Sequence, residues 1–191
     1  MSSNRTLRDL PFGVGAAAGA AAWVLTYLFT YVITSSEIQN SIIGRLTDIP
    51  TWKAVGWVFY NAHFTSTIVD VPLVGGATNF IGGENGFTPL LYVIPPVLLL
   101  IAGLAVGRYA GAGEDTVRSA LAGVTPVIGY GVLSVVGVFL FATQEPSVTP
   151  DAVTGILLAG IVYPVVFGAV GAVVAGLTAS NGRPESTTNK L

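Results

Sequence analysis

Charged residues and cysteine are what this sequence lacks. The chain of 191 residues has no cysteine, and only 9% of its residues are charged, whereas a soluble globular domain carries about 25%. The absence of cysteine excludes a disulfide framework, a thiolate nucleophile and a cysteine-based metal site. The net charge of −2 shows no excess of basic residues, which a nucleic-acid-binding face or a polybasic lipid-binding tail would require. We therefore expect no nucleic-acid partner.

Apolar residues are abundant instead. They make up 52% of the chain, and the mean hydropathy is +0.72, which is more apolar surface than one small core can bury. The sequence therefore predicts that membrane lipids are the main surroundings. Because strand-like alternation is missing, the predicted fold class is all-α, a polytopic membrane helical bundle. Four uncharged runs exceed the roughly 20 residues needed to cross a bilayer, and they predict spans at 12–34, 89–109, 118–142 and 152–178 of a single membrane domain.

Basic residues in the connections predict the orientation. With the N-terminus inside, six basic residues lie on the inner side and only Arg45 and Lys53 lie outside, which favours a multi-pass cell-membrane protein with both termini cytoplasmic. The outer connections collect six of the acidic residues. The first apolar run is too long for a typical signal peptide and is interpreted as an uncleaved span. Residues 181–191 are predicted to be a disordered tail.

Helix-end chemistry supports these spans. Thr88 and Thr149 each precede a proline and are predicted N-caps, and Asp115 or Thr116 is predicted to cap the third span. Asp115 and Asp151 are interpreted as carboxylates favoured at helix N-termini rather than as catalytic groups.

The outer connection, 35–88, is the one region long enough for a small exposed structure. A capping-box spacing and apolar residues near helical period predict a surface helix at 36–48. The next stretch, TWKAVGWVFYNAHFT at 51–65, is interpreted as a re-entrant or interfacial helix, because Asn61, His63 and Asp70 are unfavourable in a fifth crossing. Its aromatic rings are expected at headgroup depth. Residues 65–87 are predicted to form a hairpin or an ordered loop.

The same connection contains the only dense cluster of candidate functional side chains. A lone histidine without cysteine or HExxH spacing is a poor metal motif, so we expect no metal site and interpret His63 as a hydrogen-bonded interfacial histidine. No phosphate loop, dinucleotide fingerprint or paired carboxylates occur, and no cofactor is expected. The candidate interaction cluster is Trp52, Trp57, Tyr60, Asn61, His63 and Asp70.

Small residues at four-residue spacing predict the packing of the spans, since they let helix backbones approach closely in lipid. The candidate helix-packing residues are Gly15, Gly19, Gly103, Gly107, Gly168 and Gly176. The polar residues left in the spans include Thr26, Thr30, Tyr130, Ser134 and Tyr163, and they are interpreted as packing groups. These residues are compatible both with helix packing within one chain and with packing between several copies.

Residues 51–65, followed by a hydrophobic span, resemble uncharacterised multi-pass membrane proteins of halophilic archaea. The excess of arginine over lysine, six to two, and the acidic outer loops extend the resemblance over the chain. It implies an archaeal cell membrane at high salt, and no functional residues are transferred from it.

Three functions are compatible with these patterns. The first is a non-enzymatic structural or accessory subunit whose aromatic segment, 50–70, contacts a protein partner. The second is a small transporter or channel for a neutral solute or ion, acting as a homo-oligomer and using kinked prolines and neutral polar residues. The third is a membrane hydrolase, which would require His63 and Asp70 to meet in one pocket.

Overall fold

The structure is a computed structural model, and it describes residues 10–41, 48–70, 75–111 and 115–180. Within these residues four helices are long and apolar enough to cross a membrane, as the sequence predicted. They are called the first to fourth spans here, and their bounds are Phe12–Asn40, Pro89–Tyr109, Thr116–Leu140 and Ala152–Ala179. The tail at 181–191 lies outside the described residues.

The first span is one α-helix, α1, and it is longer than predicted. It continues to Asn40, so the predicted separate helix at 36–48 is wrong in its first part, and residues 42–47 lie outside the described residues. The physical reason is that no proline or glycine interrupts the chain between Thr34 and Asn40. The Thr34 hydroxyl donates to the carbonyl of Thr30, one turn earlier, at 2.8 Å, and does not act as the N-cap of a new helix. The next described helix is α2, Thr51–Asn61.

The other three spans each depart from a uniform α-helix. The second begins as a 3₁₀-helix, Pro89–Val93, and continues as α3, Ile94–Tyr109. The third is α4, Thr116–Val124, and α5, Val127–Leu140, separated at Thr125–Pro126, where the proline lacks the N–H that would continue the helix. The fourth is α6, Ala152–Thr154, a π-helix, Gly155–Val162, and α7, Tyr163–Ser180.

Side chains cap three of these spans. The Thr88 side chain accepts from the N–H of Leu90, and the Asp115 carboxylate accepts from the N–H groups of Val117 and Arg118. The fourth span is capped by Asp151, which accepts from the N–H of Thr154 at 2.8 Å, and not by Thr149 as predicted. Thr149 cannot take that role because it lies in a strand.

A small antiparallel sheet corrects the all-α prediction. Its strands are β1, Thr67–Asp70; β2, Gly76–Thr78; β3, Thr143–Gln144; and β4, Ser147–Pro150, in the order β2-β1-β4-β3. The predicted hairpin at 65–87 corresponds to β1 and β2. No pattern in the sequence indicated that β1 pairs with β4, a pairing in which Thr67 faces Pro150 and Asp70 faces Ser147. This pairing joins the connection between the first and second spans to the turn between the third and fourth spans.

Glycines bring the spans into backbone contact. A Cβ atom on Gly19 would overlap the carbonyl oxygen of Pro126, which joins the first span to the third, and one on Gly103 would overlap the carbonyl oxygen of Gly168, which joins the second to the fourth. Gly123 of the third span approaches the same Gly168. The other glycines predicted to pack lie in the interior as well. A Cβ atom on Gly15 would overlap Thr125, and one on Gly107 would crowd Ala172. Gly176 is buried.

Candidate functional site

The candidate site is built around α2, Thr51–Asn61, a short helix that begins after Pro50. Eleven residues extend about 17 Å as a helix, which is too short for a crossing. The helix packs against the end of the third span through Phe141, whose ring centroid lies 6.0 Å from that of Trp52 and 6.3 Å from that of Tyr60. Gly56, between them, allows this contact, because a Cβ there would overlap the Phe141 ring.

Most of the predicted cluster is buried. Trp57 is 5% exposed, and Tyr60, Asn61 and His63 are fully buried. Trp52 alone of the helical members is exposed, at 38%. The expectation that the aromatic face of this segment contacts a partner is therefore not supported for the buried members, whose side chains face the protein interior.

Two side chains of α2 bind carbonyl groups at the end of the third span. The Trp57 indole N–H donates to the carbonyl of Phe141 at 2.8 Å, and the Lys53 ammonium donates to the carbonyl of Ala142 at 2.6 Å. The last carbonyls of a helix have no partner within that helix, and a cation is favoured there. Tyr60 donates deeper in the span, to the carbonyl of Ser134. The helix therefore caps the third span.

His63 follows α2 and is held by both ring nitrogens. Nδ1 lies 2.8 Å from the carbonyl oxygen of Phe59, and Nε2 lies 2.7 Å from the hydroxyl oxygen of Tyr130 in the third span. A carbonyl can only accept, so Nδ1 carries the proton and Nε2 of the neutral ring accepts from Tyr130. The Tyr163 ring of the fourth span packs on the imidazole, with centroids 4.9 Å apart. His63 thus joins the end of α2 to the third and fourth spans.

Burial also determines the protonation states of His63 and Tyr60. Desolvation disfavours the charged imidazole and lowers the pKa of His63 to about 4, although the hydrogen bond to Phe59 opposes the shift. Burial likewise raises the pKa of Tyr60 above its ordinary value. Both side chains are therefore neutral at pH 7.

Asn61 organises the loop beyond α2. Its amide nitrogen donates to the carbonyl of Thr65 at 2.8 Å and to the hydroxyl of Thr67 at 3.2 Å. Its amide oxygen accepts from the N–H of Phe80 at 2.9 Å. One buried amide thereby fixes the start of β1 and the chain that follows β2.

Asp70 lies apart from the cluster. It is exposed at the end of β1, where its backbone pairs with Ser147. His63 is fully buried, and its two ring nitrogens bind Phe59 and Tyr130. The structure does not bring His63 and Asp70 together as an acid–base pair. Among the described residues no group of three His, Cys, Asp or Glu side chains is placed to hold a metal ion.

Four residues outside the predicted cluster complete the site. Phe141 supports α2, and the partners inside the bundle are Tyr130, Ser134 and Tyr163. The last three were visible in the sequence as polar residues within apolar spans. Nothing in their spacing linked them to His63, because Tyr130 lies 67 positions further along the chain.

These features define a bundle of four helices that are long and apolar enough to cross a membrane, with a short helix and a small sheet at one end. The chain belongs to a family of unknown function, DUF7978, whose model matches residues 1–179. No curated protein and no solved structure matches the sequence.

Proposed function

We propose that this protein is a non-enzymatic structural or accessory subunit of a membrane complex. In this proposal the four spans cross the cell membrane, both termini are cytoplasmic, and the helix and sheet at 48–70, 75–88 and 143–150 form the outer face. The excess of basic residues on the proposed inner side supports the orientation. The arginine-rich, lysine-poor balance and the acidic outer connections support a halophilic archaeal host.

The closed packing of the bundle is the observation that carries this proposal. Gly19, Gly103 and Gly168 allow helix backbones to touch, so at these contacts no space for a lumen is left between the described parts of the spans. Near the outer end, the polar side chains of Trp57, Tyr60 and His63 are occupied by internal hydrogen bonds. Groups used in this way hold a fixed shape and are not available to a passing solute.

The partner-contacting surface is assigned to exposed side chains of the outer face. Phe64 is 60% exposed, and its ring stacks on that of Tyr92 with centroids 4.4 Å apart. It also has a φ of 59°, a left-handed conformation that is costly for a bulky residue and is often found at functional positions. Trp52 is the second exposed aromatic side chain of this face.

The test is extraction from the native membrane at native salt, followed by mass determination of the intact complex. We expect a stoichiometric second protein with the unmodified chain. The Phe64→Ala variant should no longer bind the second protein. The Phe139→Ala variant should still bind it, because Phe139 is 69% exposed but belongs to the third span and not to the proposed partner surface. Recovery of the protein alone, or only as a homo-oligomer, would contradict the proposal.

One observation favours a transporter or channel as the second candidate. The Ser134 hydroxyl is fully buried and has no hydrogen-bond partner among the described residues, and Ser134 packs beside Gly160 of the π-helix. Short π-helical segments are frequent at functional sites. Solute flux into liposomes that falls in Ser134→Ala would favour this candidate, and no flux across a broad panel of solutes would remove it.

A further inference from the structure

A cavity of about 190 Å³ opens between the end of the first span and α2. Three aromatic side chains, Trp57, Phe80 and Phe87, form much of its wall, with Glu37, Ser41 and Asn85 also lining it. The rings of Trp57 and Phe80 have centroids 6.4 Å apart. The cavity is separate from the buried contacts of His63.

The aromatic wall is held in place by hydrogen bonds. Asn61 accepts from the N–H of Phe80 at 2.9 Å, and the N–H of Phe87 donates to the carbonyl of Phe80 at 2.8 Å. The N–H of Gly82 returns a bond to the carbonyl of Phe87 at 2.8 Å. Because its backbone is bonded in this way, the wall is organised before any ligand binds, which lowers the entropic cost of binding.

The polar groups of the cavity favour a cation. Glu37 is the one charged residue that lines it. The Trp57 indole N–H is already bonded to Phe141, and the Ser41 hydroxyl donates to the carbonyl of Ile38 at 2.7 Å. The wall therefore presents the carboxylate of Glu37, the amide of Asn85 and aromatic rings, while two other side-chain donors are already used. An anion would be repelled by the carboxylate, whereas a positive charge complements both the carboxylate and the rings.

We propose that this cavity binds an ammonium group carried on a small apolar body, with a quaternary ammonium as the preferred form. The aromatic rings accommodate the alkyl groups and attract the positive charge through their electron-rich faces. Glu37, an exposed residue that lines the cavity, supplies the counter-charge. The same chemistry is offered by a free quaternary ammonium ion and by the headgroup of a choline lipid. This site is independent of the structural role proposed above.

The test is titration of choline chloride into the full-length protein in maltoside detergent, followed by calorimetry, with sodium chloride as the reference salt. We expect saturable binding that weakens at least tenfold in Glu37→Gln and in Phe87→Ala. Glu145→Gln is the matched control, because Glu145 is an exposed glutamate that does not line the cavity. Equal binding by the unmodified, Glu37→Gln and Glu145→Gln proteins would place the ion elsewhere and overturn the proposal, as would the absence of saturable binding.

A second measurement distinguishes the two sources of the ammonium group. The titration is repeated in nanodiscs made of phosphatidylcholine or of phosphatidylglycerol. Weaker apparent binding of choline in phosphatidylcholine assigns the site to the lipid headgroup, since the lipid competes. Equal binding in both lipids assigns it to the free ion. If phosphatidylcholine still weakened choline binding in the Glu37→Gln protein, the competition would occur elsewhere and would contradict the site.

Discussion

The Nε2 atom of His63 lies 2.7 Å from the hydroxyl oxygen of Tyr130. This contact joins the end of α2 to the third span, and both residues are fully buried. The hydrogen bond from Nδ1 to Phe59 fixes the proton on the other nitrogen. A protonated ring would also carry a hydrogen on Nε2, facing the hydroxyl that now donates to it. The contact therefore favours the neutral imidazole, and lowering the pH should weaken the contact between His63 and Tyr130.

The first prediction concerns the pH dependence of stability. The pKa of His63 is about 4 in the folded protein and 6.5 as its ordinary value, so between these values the unfolded chain binds a proton that the folded protein does not. The contribution of His63 to the free energy of unfolding is complete above pH 6.5 and falls as the pH decreases towards 4. At most about 3 kcal/mol of this free energy is lost. Thermal unfolding in detergent at several pH values measures the effect.

His63→Gln is the control for that measurement, because glutamine does not titrate. Carboxylates also titrate at low pH, so the informative quantity is the difference in unfolding temperature between the two proteins. We expect this difference to shrink as the pH falls from 7 to 5. A difference that stays constant over that range would show that His63 does not titrate with the expected shift.

The second prediction concerns the hydroxyl of Tyr130. Tyr130→Phe keeps the ring but leaves Nε2 of His63 buried without a donor, which should lower the free energy of unfolding by about 1–3 kcal/mol. The double variant Tyr130→Phe/His63→Gln should lose less than the sum of the single variants, because they share one contact. Strict additivity would contradict the hydrogen bond.

The sequence predicted the spans better than it predicted the site. Long uncharged runs specify spans by length alone, and the predicted and observed bounds of 89–109 agree. The sheet was missed because β3 and β4 have two and four residues, too few for a period-2 pattern, and β4 pairs with the distant β1. The prediction identified Trp57, Tyr60 and His63 as a cluster but not their orientation, since aromatic residues occur on every side of α2 and give no apolar face.

The third prediction tests the proposed topology. The chain has no native thiols, so single cysteines can be labelled without background. Cysteines at the exposed positions Glu84 and Glu145 should react with a membrane-impermeant maleimide in intact cells. A cysteine at Tyr109, which is 69% exposed at the other end of the second span, should react only after permeabilisation. The reverse pattern would invert the assigned orientation.

The fourth prediction tests the packing of the first and third spans with two glycines of one helix. Gly13→Ala introduces a methyl group that meets nothing within 4 Å, so it should leave stability unchanged or raise it by up to about 1 kcal/mol, since alanine favours helix. Gly19→Ala places the same methyl group against the backbone carbonyl of Pro126. Backbone cannot rotate away as a side chain can, so the two spans must separate, at a cost of about 1–3 kcal/mol.

Comparing the two variants isolates packing from helix propensity, because both exchange glycine for alanine in α1. Thermal unfolding of the purified proteins should place Gly19→Ala below the unmodified protein and Gly13→Ala at or above it. Separation of the first and third spans should also loosen the support for α2, since Trp23 of the first span stacks on Phe141, the residue that follows the third span, with centroids 6.3 Å apart. Equal stability of the two variants would show that this glycine contact does not hold the bundle closed, and would remove the main support for a structural role.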